Sequence, residues 1–273
     1  MALFEPLPVA HEPETPSATQ GSLLAHPKIV TTITVLALIA VWTIVTHAGL
    51  VSTLFLPPPD QLVRSFWVLL HQGYLDVPLW QHVTTSLARV LVALFFAVII
   101  AVPLGILMGT CKTVHAVVDP LVEFYRPVPP LAYLPLIVIW CGIGELSKVL
   151  LIFLALFAPL LISTVDGVLR VDRARIQAAR SLGASRYQVI CYVVLPSALP
   201  HMITGLRIAL GGGWSTLVAA ELVAADTGLG FMVQSAAQYL ATDVVMVGIV
   251  IIAIIALLME FSLRWVQRRF AAW

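Results

Sequence analysis

The sequence predicts an all-α protein that crosses a lipid bilayer several times. Hydrophobic residues make up 60% of the 273 residues and charged residues only 11%, and the mean hydropathy is +1.00. A soluble domain carries about a quarter charged residues, so too few polar side chains are present to cover a surface in water. Lipid offers no hydrogen-bond partners, and long apolar runs must therefore form helices. The net charge of +1 also argues against a nucleic-acid-binding protein.

Six apolar segments are predicted to be the membrane-spanning helices, because a spanning helix needs about 20 apolar residues. They are Ile29–Thr46, Leu87–Met108, Leu131–Cys141, Val149–Val165, Met202–Ala220 and Val244–Leu263. The third segment is entered through Pro127, Pro129 and Pro130. Residues 60–83 mix apolar and charged side chains, which indicates a surface helix followed by a loop. We therefore expect a six-helix transmembrane domain over residues 28–273.

Residues 1–27 are predicted to be a disordered cytoplasmic tail. They are rich in proline and contain no Lys or Arg, whereas a cleaved signal peptide needs a basic start. With this tail in the cytoplasm and six spans, twelve of the 15 Lys and Arg residues fall on the inner side. The outer side receives only Arg64, Arg89 and Lys148. Since basic residues concentrate on the cytoplasmic side, both termini are predicted to be cytoplasmic.

The longest polar insert, residues 166–200, lies between the fourth and fifth predicted spans. Residues 172–182 form a good helix sequence, and Gly183 follows where a helix end favours a left-handed residue. Ser185 and Gln188 then have the spacing of a capping box, which predicts a second helix that ends before Leu195-Pro196. From the residues alone, the insert is equally consistent with a knob that enters a groove on another protein and with an amphipathic loop on the lipid surface.

The spacing within this insert resembles the cytoplasmic EAA loop of ABC importer permeases. Gln177-Ala178-Ala179, Gly183 and Val193-x-Leu195-Pro196 follow the pattern Glu-Ala-Ala-x-x-x-Gly, nine variable residues, Ile-x-Leu-Pro, with Gln177 in place of Glu and Val193 in place of Ile. The resemblance implies that the loop docks on an ATPase through Gln177, Ala178, Ala179, Gly183, Ala184, Ser185, Leu195 and Pro196.

Further stretches extend this resemblance over about residues 30 to 270, to the nitrate/sulfonate/taurine branch of these permeases and most of all to its taurine permeases. They are Phe55–Pro59, Tyr125–Ala132, Trp140–Glu145, Gly205–Arg207, Gly213–Glu221 and Gly228–Phe231. The resemblance implies the type I ABC importer fold, a bacterial inner-membrane location, and taurine or a related sulfonate as solute. Longer alkanesulfonates and nitrate remain alternatives.

The family model also implies the partners: a second permease copy, two ATPase subunits and a periplasmic solute-binding protein. No Gly-Lys pair occurs in the sequence, so the phosphate-binding loop G-x-x-x-x-G-K-[ST] is absent from this chain. We therefore expect a permease subunit that is not an enzyme and binds no cofactor or metal, with ATP and Mg²⁺ bound by the ATPase partner.

The fifth span is the predicted lining of the solute pathway in a homodimer. Its four glycines, Gly205, Gly211, Gly212 and Gly213, allow close approach of a neighbouring helix. The candidate pathway side chains are Arg207, Trp214, Ser215, Thr216 and Glu221. Helix packing within one subunit is the alternative explanation for the glycines, and packing or lipid contact for Trp214.

Two other classes of protein fit the sequence less well. A proton- or sodium-coupled carrier usually has more spans, internal repeats and buried acids. An intramembrane serine hydrolase would have to use Ser185 and His201, but Ser185 lies in the polar insert and serves better as a helix cap.

Overall fold

The structure, a computed structural model, describes residues 27–270, and helices dominate this range. The helices are α1 Pro27–His47, α2 Pro59–Gln72, α3 Leu79–Thr110, α4 Lys112–Tyr125, α5 Leu134–Cys141, α6 Glu145–Leu169, α7 Arg173–Ser181, α8 Arg186–Val189, α9 Leu195–Ala224, α10 Leu229–Gln238 and α11 Thr242–Phe270. A 3₁₀ turn, Pro130–Tyr133, precedes α5, and a π-helical turn, Ile190–Val194, precedes α9. The all-α prediction is confirmed. The predicted tail lies outside the described residues, except for Pro27.

The chain divides into two compact units. The first ends at Val51 and contains α1. The second begins at Ser52 and contains α2 to α11. The sites described below all lie in the second unit.

Within residues 27–270, five helices are long and apolar enough to cross a membrane, rather than the six that the sequence predicts. They are Ile29–His47, Leu79–Thr110, Glu145–Leu169, Arg186–Val223 and Thr242–Arg269. The third predicted span is instead a short apolar helix, Pro130–Cys141. At 1.5 Å per residue it is about 18 Å long, less than the roughly 30 Å of a bilayer core. Prolines delimit it on one side and Gly142, with φ +76°, on the other.

The helix α3 begins at Leu79, eight residues before the predicted start at Leu87. The predicted surface helix is therefore confined to α2, which ends at Gln72 and is followed by Gly73. Three of the polar residues in the first turns of α3, His82, Ser86 and Arg89, are buried inside the protein. Because they face protein partners and not lipid, the helix continues through them.

The core of the second unit lies around α6, which packs against both α3 and α9. Small residues bring the helices together. A Cβ atom on Gly105 would lie 2.7 Å from the Thr164 side chain, and one on Gly213 would lie 2.7 Å from Leu156. By contrast, a Cβ atom on Gly211 or Gly212 would meet nothing within 4 Å. The glycines of α9 therefore divide into a face packed against α6 and an open face.

Candidate functional site

The predicted helix, turn and helix of the 166–200 loop are present. The Asp172 side chain caps α7 by accepting a hydrogen bond from the Ala174 N–H at 2.8 Å. At the other end, Gly183 has φ +84°. Its N–H donates to Arg180 O at 2.9 Å, and the Ala184 N–H donates to Ala179 O at 3.1 Å. This pair of bonds is the Schellman motif, which ends a helix with a left-handed residue.

The second helix starts with the predicted capping box. The Ser185 N–H donates to Gln188 Oε1 at 2.8 Å, and the Gln188 N–H donates to Ser185 Oγ at 3.3 Å. Both partners of the box satisfy backbone donors that would otherwise lack acceptors at a helix start. The hydroxyl of Ser185 therefore acts as a helix cap, the role that the sequence favoured over a nucleophile.

The predicted end of this second helix before Leu195-Pro196 is wrong. After α8 the chain passes through the π-helical turn Ile190–Val194 directly into α9, so Arg186–Val223 is one continuous helical segment. The Leu195 N–H bonds to Ile190 O, five residues back. Pro196 follows this turn directly and lacks the N–H that would donate to the carbonyl four residues back, so the hydrogen-bond ladder is interrupted there although the chain stays helical. The loop is thus a direct extension of α9.

The base of the 166–200 loop is apolar and its tip is exposed. Val171, Val189 and Val194 are buried together with residues at the start of α9. At the tip, the Leu182 side chain is 89% exposed and Tyr187 is 75% exposed. Of the predicted docking residues, Gln177, Ala178, Gly183 and Ser185 are exposed, and Ala179, Ala184, Leu195 and Pro196 are half-buried. A fixed base therefore presents an exposed tip.

The structure separates the five predicted pathway residues of α9. Ser215 lies on the open face of the helix. This face is formed by Thr204, Ile208, Gly211, Gly212 and Ser215, which recur every three or four residues. Trp214 and Thr216 are buried, with exposed fractions of 7% and 5%, and the Trp214 Nε1 has no hydrogen-bond partner. Ser215 alone of the five is accessible on an open helix face.

Arg207 ties α9 to α11. Its guanidinium donates to Glu260 Oε1 through Nε at 3.0 Å and Nη2 at 2.5 Å, and to Gln267 Oε1 through Nη1 at 2.9 Å. Gln267 in turn donates to Thr204 Oγ1 at 3.1 Å. Arg264 also bonds to Glu260, at 2.8 Å. Arg207 is therefore held in an interhelical network and is half-buried.

A buried ion cluster lies at the opposite end of α9, and its centre is Arg89, which is only 2% exposed. The Arg89 guanidinium binds Glu145 in bidentate fashion, with N–O distances of 2.7 and 2.6 Å. Its Nη1 donates to Glu221 Oε1 at 2.5 Å and to Thr227 O at 2.7 Å. Lys148 Nζ donates to Glu145 Oε1 at 2.9 Å. Two basic and two acidic side chains thus balance each other; Arg89, Lys148 and Glu221 are buried, whereas the Glu145 side chain is 63% exposed.

Glu221, the fifth predicted pathway residue, belongs to this cluster and is fully buried. Both carboxylate oxygens accept hydrogen bonds from Ser86 Oγ, at 2.8 and 3.0 Å. Oε2 also accepts from the Gly230 N–H at 2.7 Å. A Cβ atom on Gly228, where φ is +131°, would lie 2.5 Å from the carboxylate, so the chain wraps closely around Glu221. The cluster joins α3, α6, α9 and the start of α10.

The sequence prediction missed Arg89, Glu145 and Lys148 as members of this cluster. The usable signal was their position inside or next to apolar segments, where a charge is costly unless it is paired. Sequence alone offered no way to pair them, because the partners are separated by 56 and 132 residues. Within residues 27–270, no group of three or more His, Cys, Asp or Glu side chains has an arrangement suited to a metal ion.

The fold is that of a transmembrane subunit of an ABC importer. The chain superimposes on a chain of the structure "Inward facing conformations of the MetNI methionine ABC transporter" with a TM-score of 0.63 at 22% identity. The match covers 70% of this chain and 95% of that one.

Sequence comparison carries the assignment further. Residues 101–272 match the family "Binding-protein-dependent transport system inner membrane component". The chain is 58% identical to the taurine transport system permease protein TauC of Escherichia coli strain K12, over 88% of each chain. It is 34% identical to the putative aliphatic sulfonates transport permease protein SsuC of the same strain, over 86% of this chain and 88% of the other.

The chain belongs to this family of inner-membrane transport components. The prediction of an ABC importer permease subunit, as opposed to an enzyme, is thereby confirmed.

The buried ion cluster gives a testable expectation for stability. Glu221→Gln keeps the shape of the side chain but removes the buried charge that faces Arg89. Breaking a buried ion pair costs up to about 3–5 kcal/mol when a buried charge is left unbalanced, and in this variant Arg89 and Lys148 would face Glu145 alone. We expect a marked fall in the apparent melting temperature of the detergent-solubilised chain, followed by thermal aggregation. Arg64→Gln, at an exposed position of α2, is the matched control and should melt like the unmodified protein. Equal melting of the Glu221 variant and the unmodified protein would contradict a stabilising role for the cluster.

Proposed function

We propose that this chain is the permease subunit of an ATP-driven importer for taurine, working as a homodimer by alternating access. The observation that carries the choice of solute is the 58% identity to a taurine transport permease over 88% of both chains. The relative named for aliphatic sulfonates is 34% identical, and one named for bicarbonate is 31% identical. Taurine is therefore favoured over longer sulfonates and nitrate.

The exposed tip of the 166–200 loop is the proposed ATPase-docking surface. Leu182 and Tyr187 are large apolar side chains with little protein around them, next to the small residues Gly183 and Ala184. Such a tip has the shape of a plug for a groove, and burial of its apolar area would drive binding. Gln177 is exposed on α7 and supplies an amide where the family pattern has a carboxylate. ATP and Mg²⁺ are assigned to the docked ATPase.

Continuity between the loop and α9 supports a lever mechanism. Because Arg186–Val223 is a single helical segment, a displacement of the docked tip is passed to the span along one helix. The buried valines at the base prevent the loop from folding away independently. A ligand shifts a conformational equilibrium only through differential binding, and a rigid connection lets the ATPase favour one state of the spans.

The proposed topology places the 166–200 loop and both chain termini in the cytoplasm. Twelve of the 15 Lys and Arg residues fall on that side, which supports this topology because basic residues concentrate in the cytoplasm. The topology requires the short apolar helix Pro130–Cys141 to complete a crossing together with neighbouring residues. The periplasmic side then carries the buried ion cluster and receives the solute-binding protein.

The open face of α9 is the proposed lining of the solute pathway, on the two-fold axis of a homodimer. Gly212 leaves space beside Ser215, and the Ser215 hydroxyl gives this part of the face a hydrogen-bonding group for a short zwitterion. In this arrangement the other four predicted pathway residues do not line the pathway but hold α9 in place through contacts away from its open face. They are Arg207, Trp214, Thr216 and Glu221.

Reconstitution tests the function as a whole. The chain in proteoliposomes, with its ATPase and a taurine-loaded binding protein, should accumulate taurine only when ATP is supplied. Excess nitrate or octanesulfonate should compete poorly. Uptake that follows a proton or sodium gradient without any ATPase would instead establish an ion-coupled carrier.

Docking is tested at Gly183, where φ is +84°. Gly183→Val places a β-branched residue in a left-handed conformation and should distort the tip, with at least a tenfold loss of ATPase capture and of uptake. Gly183→Asn is the control, because asparagine tolerates this conformation and should retain most of both. Membrane insertion should be normal in both variants. Full uptake by the valine variant would refute docking through this turn.

The pathway is tested by thiol accessibility after Cys111, Cys141 and Cys191 are replaced by serine. Ser215→Cys should react with a charged, water-soluble thiol reagent in the assembled importer, and the modification should block uptake. Thr216→Cys is the control, since this neighbour is buried and should react at least ten times more slowly. Lack of reaction at Ser215 would place the open face away from water and reject it as a lining.

A further inference from the structure

We propose that the groove between α9 and α11 binds an anionic phospholipid, with the phosphate on the arginines and an acyl chain along the apolar part. This α9–α11 groove consists of two adjoining cavities that share Arg207. One has a volume of about 460 Å³ and is lined by Arg207, Arg264, Gln267 and Arg268. The other has a volume of about 490 Å³ and includes Leu210, Gly211, Trp214, Ala253 and Leu257.

The first cavity carries an excess of positive charge. Glu260 is the carboxylate that pairs with Arg207 and Arg264, and it serves both. Within residues 27–270, Arg268 has no carboxylate partner. Three guanidinium groups therefore face one carboxylate, which leaves a net charge of about +2. Guanidinium groups bind phosphate through paired, charge-assisted hydrogen bonds.

The second cavity is apolar and extends away from the arginines. From Arg207 to Trp214 the helix rises about 10 Å, at 1.5 Å per residue. Gly211 opens the wall along this stretch, since a Cβ atom there would meet nothing within 4 Å. On the α11 side, Ala253 and Leu257 are exposed. This stretch is too long and too apolar for the two-carbon ammonium arm of taurine, whereas an acyl chain fits it.

The direction of the groove matches that of a lipid in the cytoplasmic leaflet. The cationic cavity lies toward the C-terminal end of α11, and the apolar cavity lies deeper along the spans. Basic pockets between spans on the cytoplasmic side are typical binding sites for anionic headgroups. Only this choice of leaflet relies on the topology in the proposed function. Lipid binding is measured without the ATPase, so failure of docking would leave the lipid result unaffected.

Native mass spectrometry of the purified full-length chain tests the inference, with phosphatidylglycerol and phosphatidylcholine of identical acyl chains as probes. We expect phosphatidylglycerol to bind at least ten times more tightly. Arg268→Gln should weaken its binding about tenfold, as expected for the loss of one charge-assisted contact. Arg269→Gln is the matched control, because the adjacent exposed arginine does not line the groove, and its effect should be less than twofold.

A second variant separates the acyl chain from the headgroup. Ala253→Phe fills the apolar cavity and leaves every arginine in place, so it should also weaken phosphatidylglycerol binding. Unchanged melting without lipid verifies that each variant is folded. Equal binding of the two lipids, equal effects of the two arginine variants, or unchanged binding to the Ala253 variant would each overturn the inference. Displacement of the lipid by millimolar taurine or inorganic phosphate would assign the arginines to a soluble anion instead.

Discussion

The pairing of Arg89 with Glu145 and Glu221 is the interaction on which one end of the transmembrane unit depends. A guanidinium that is 2% exposed survives at this depth only because two carboxylates and a backbone carbonyl surround it. The same contacts explain the close-fitting glycines around Glu221 and the early start of α3. The cluster specifies which helices meet at this end, since any other pairing would leave a buried charge without a partner.

At the opposite end of α9, the helix continues directly into the 166–200 loop. The π-helical turn accommodates Pro196 and carries α8 into α9 without a break. One end of this helix is thus fixed by a charged cluster, and the other extends into an exposed tip with Leu182 at its apex. A continuous helix of this kind connects the tip directly to the span, which is the property that coupling to an ATPase requires under the proposed function.

Local sequence rules predicted the caps and turns of the 166–200 loop well. Gly183, Ser185 and Gln188 act through neighbours within five residues, and their hydrogen bonds are those that the spacing indicated. The rules failed at Leu195-Pro196, because proline ends helices in most contexts, whereas here the chain stays helical through a π-helical turn. They also placed Glu221 with the pathway residues, although its carboxylate binds Ser86 and Arg89 of α3, which are 135 and 132 residues away in sequence.

The sequence by itself determined that this chain is a helical membrane protein with a polar helix-turn-helix insert. Hydropathy and capping act over one or two helical turns, and for this reason they can be recognised in a linear string. Only the tertiary structure decided that Arg89 meets Glu221, that Ser215 faces outward while Trp214 is buried, and that Arg207 binds Glu260. These contacts depend on the rotation and depth of each helix against its neighbours. Those quantities are set by packing across the whole unit, such as Gly105 against Thr164, and not by any local pattern.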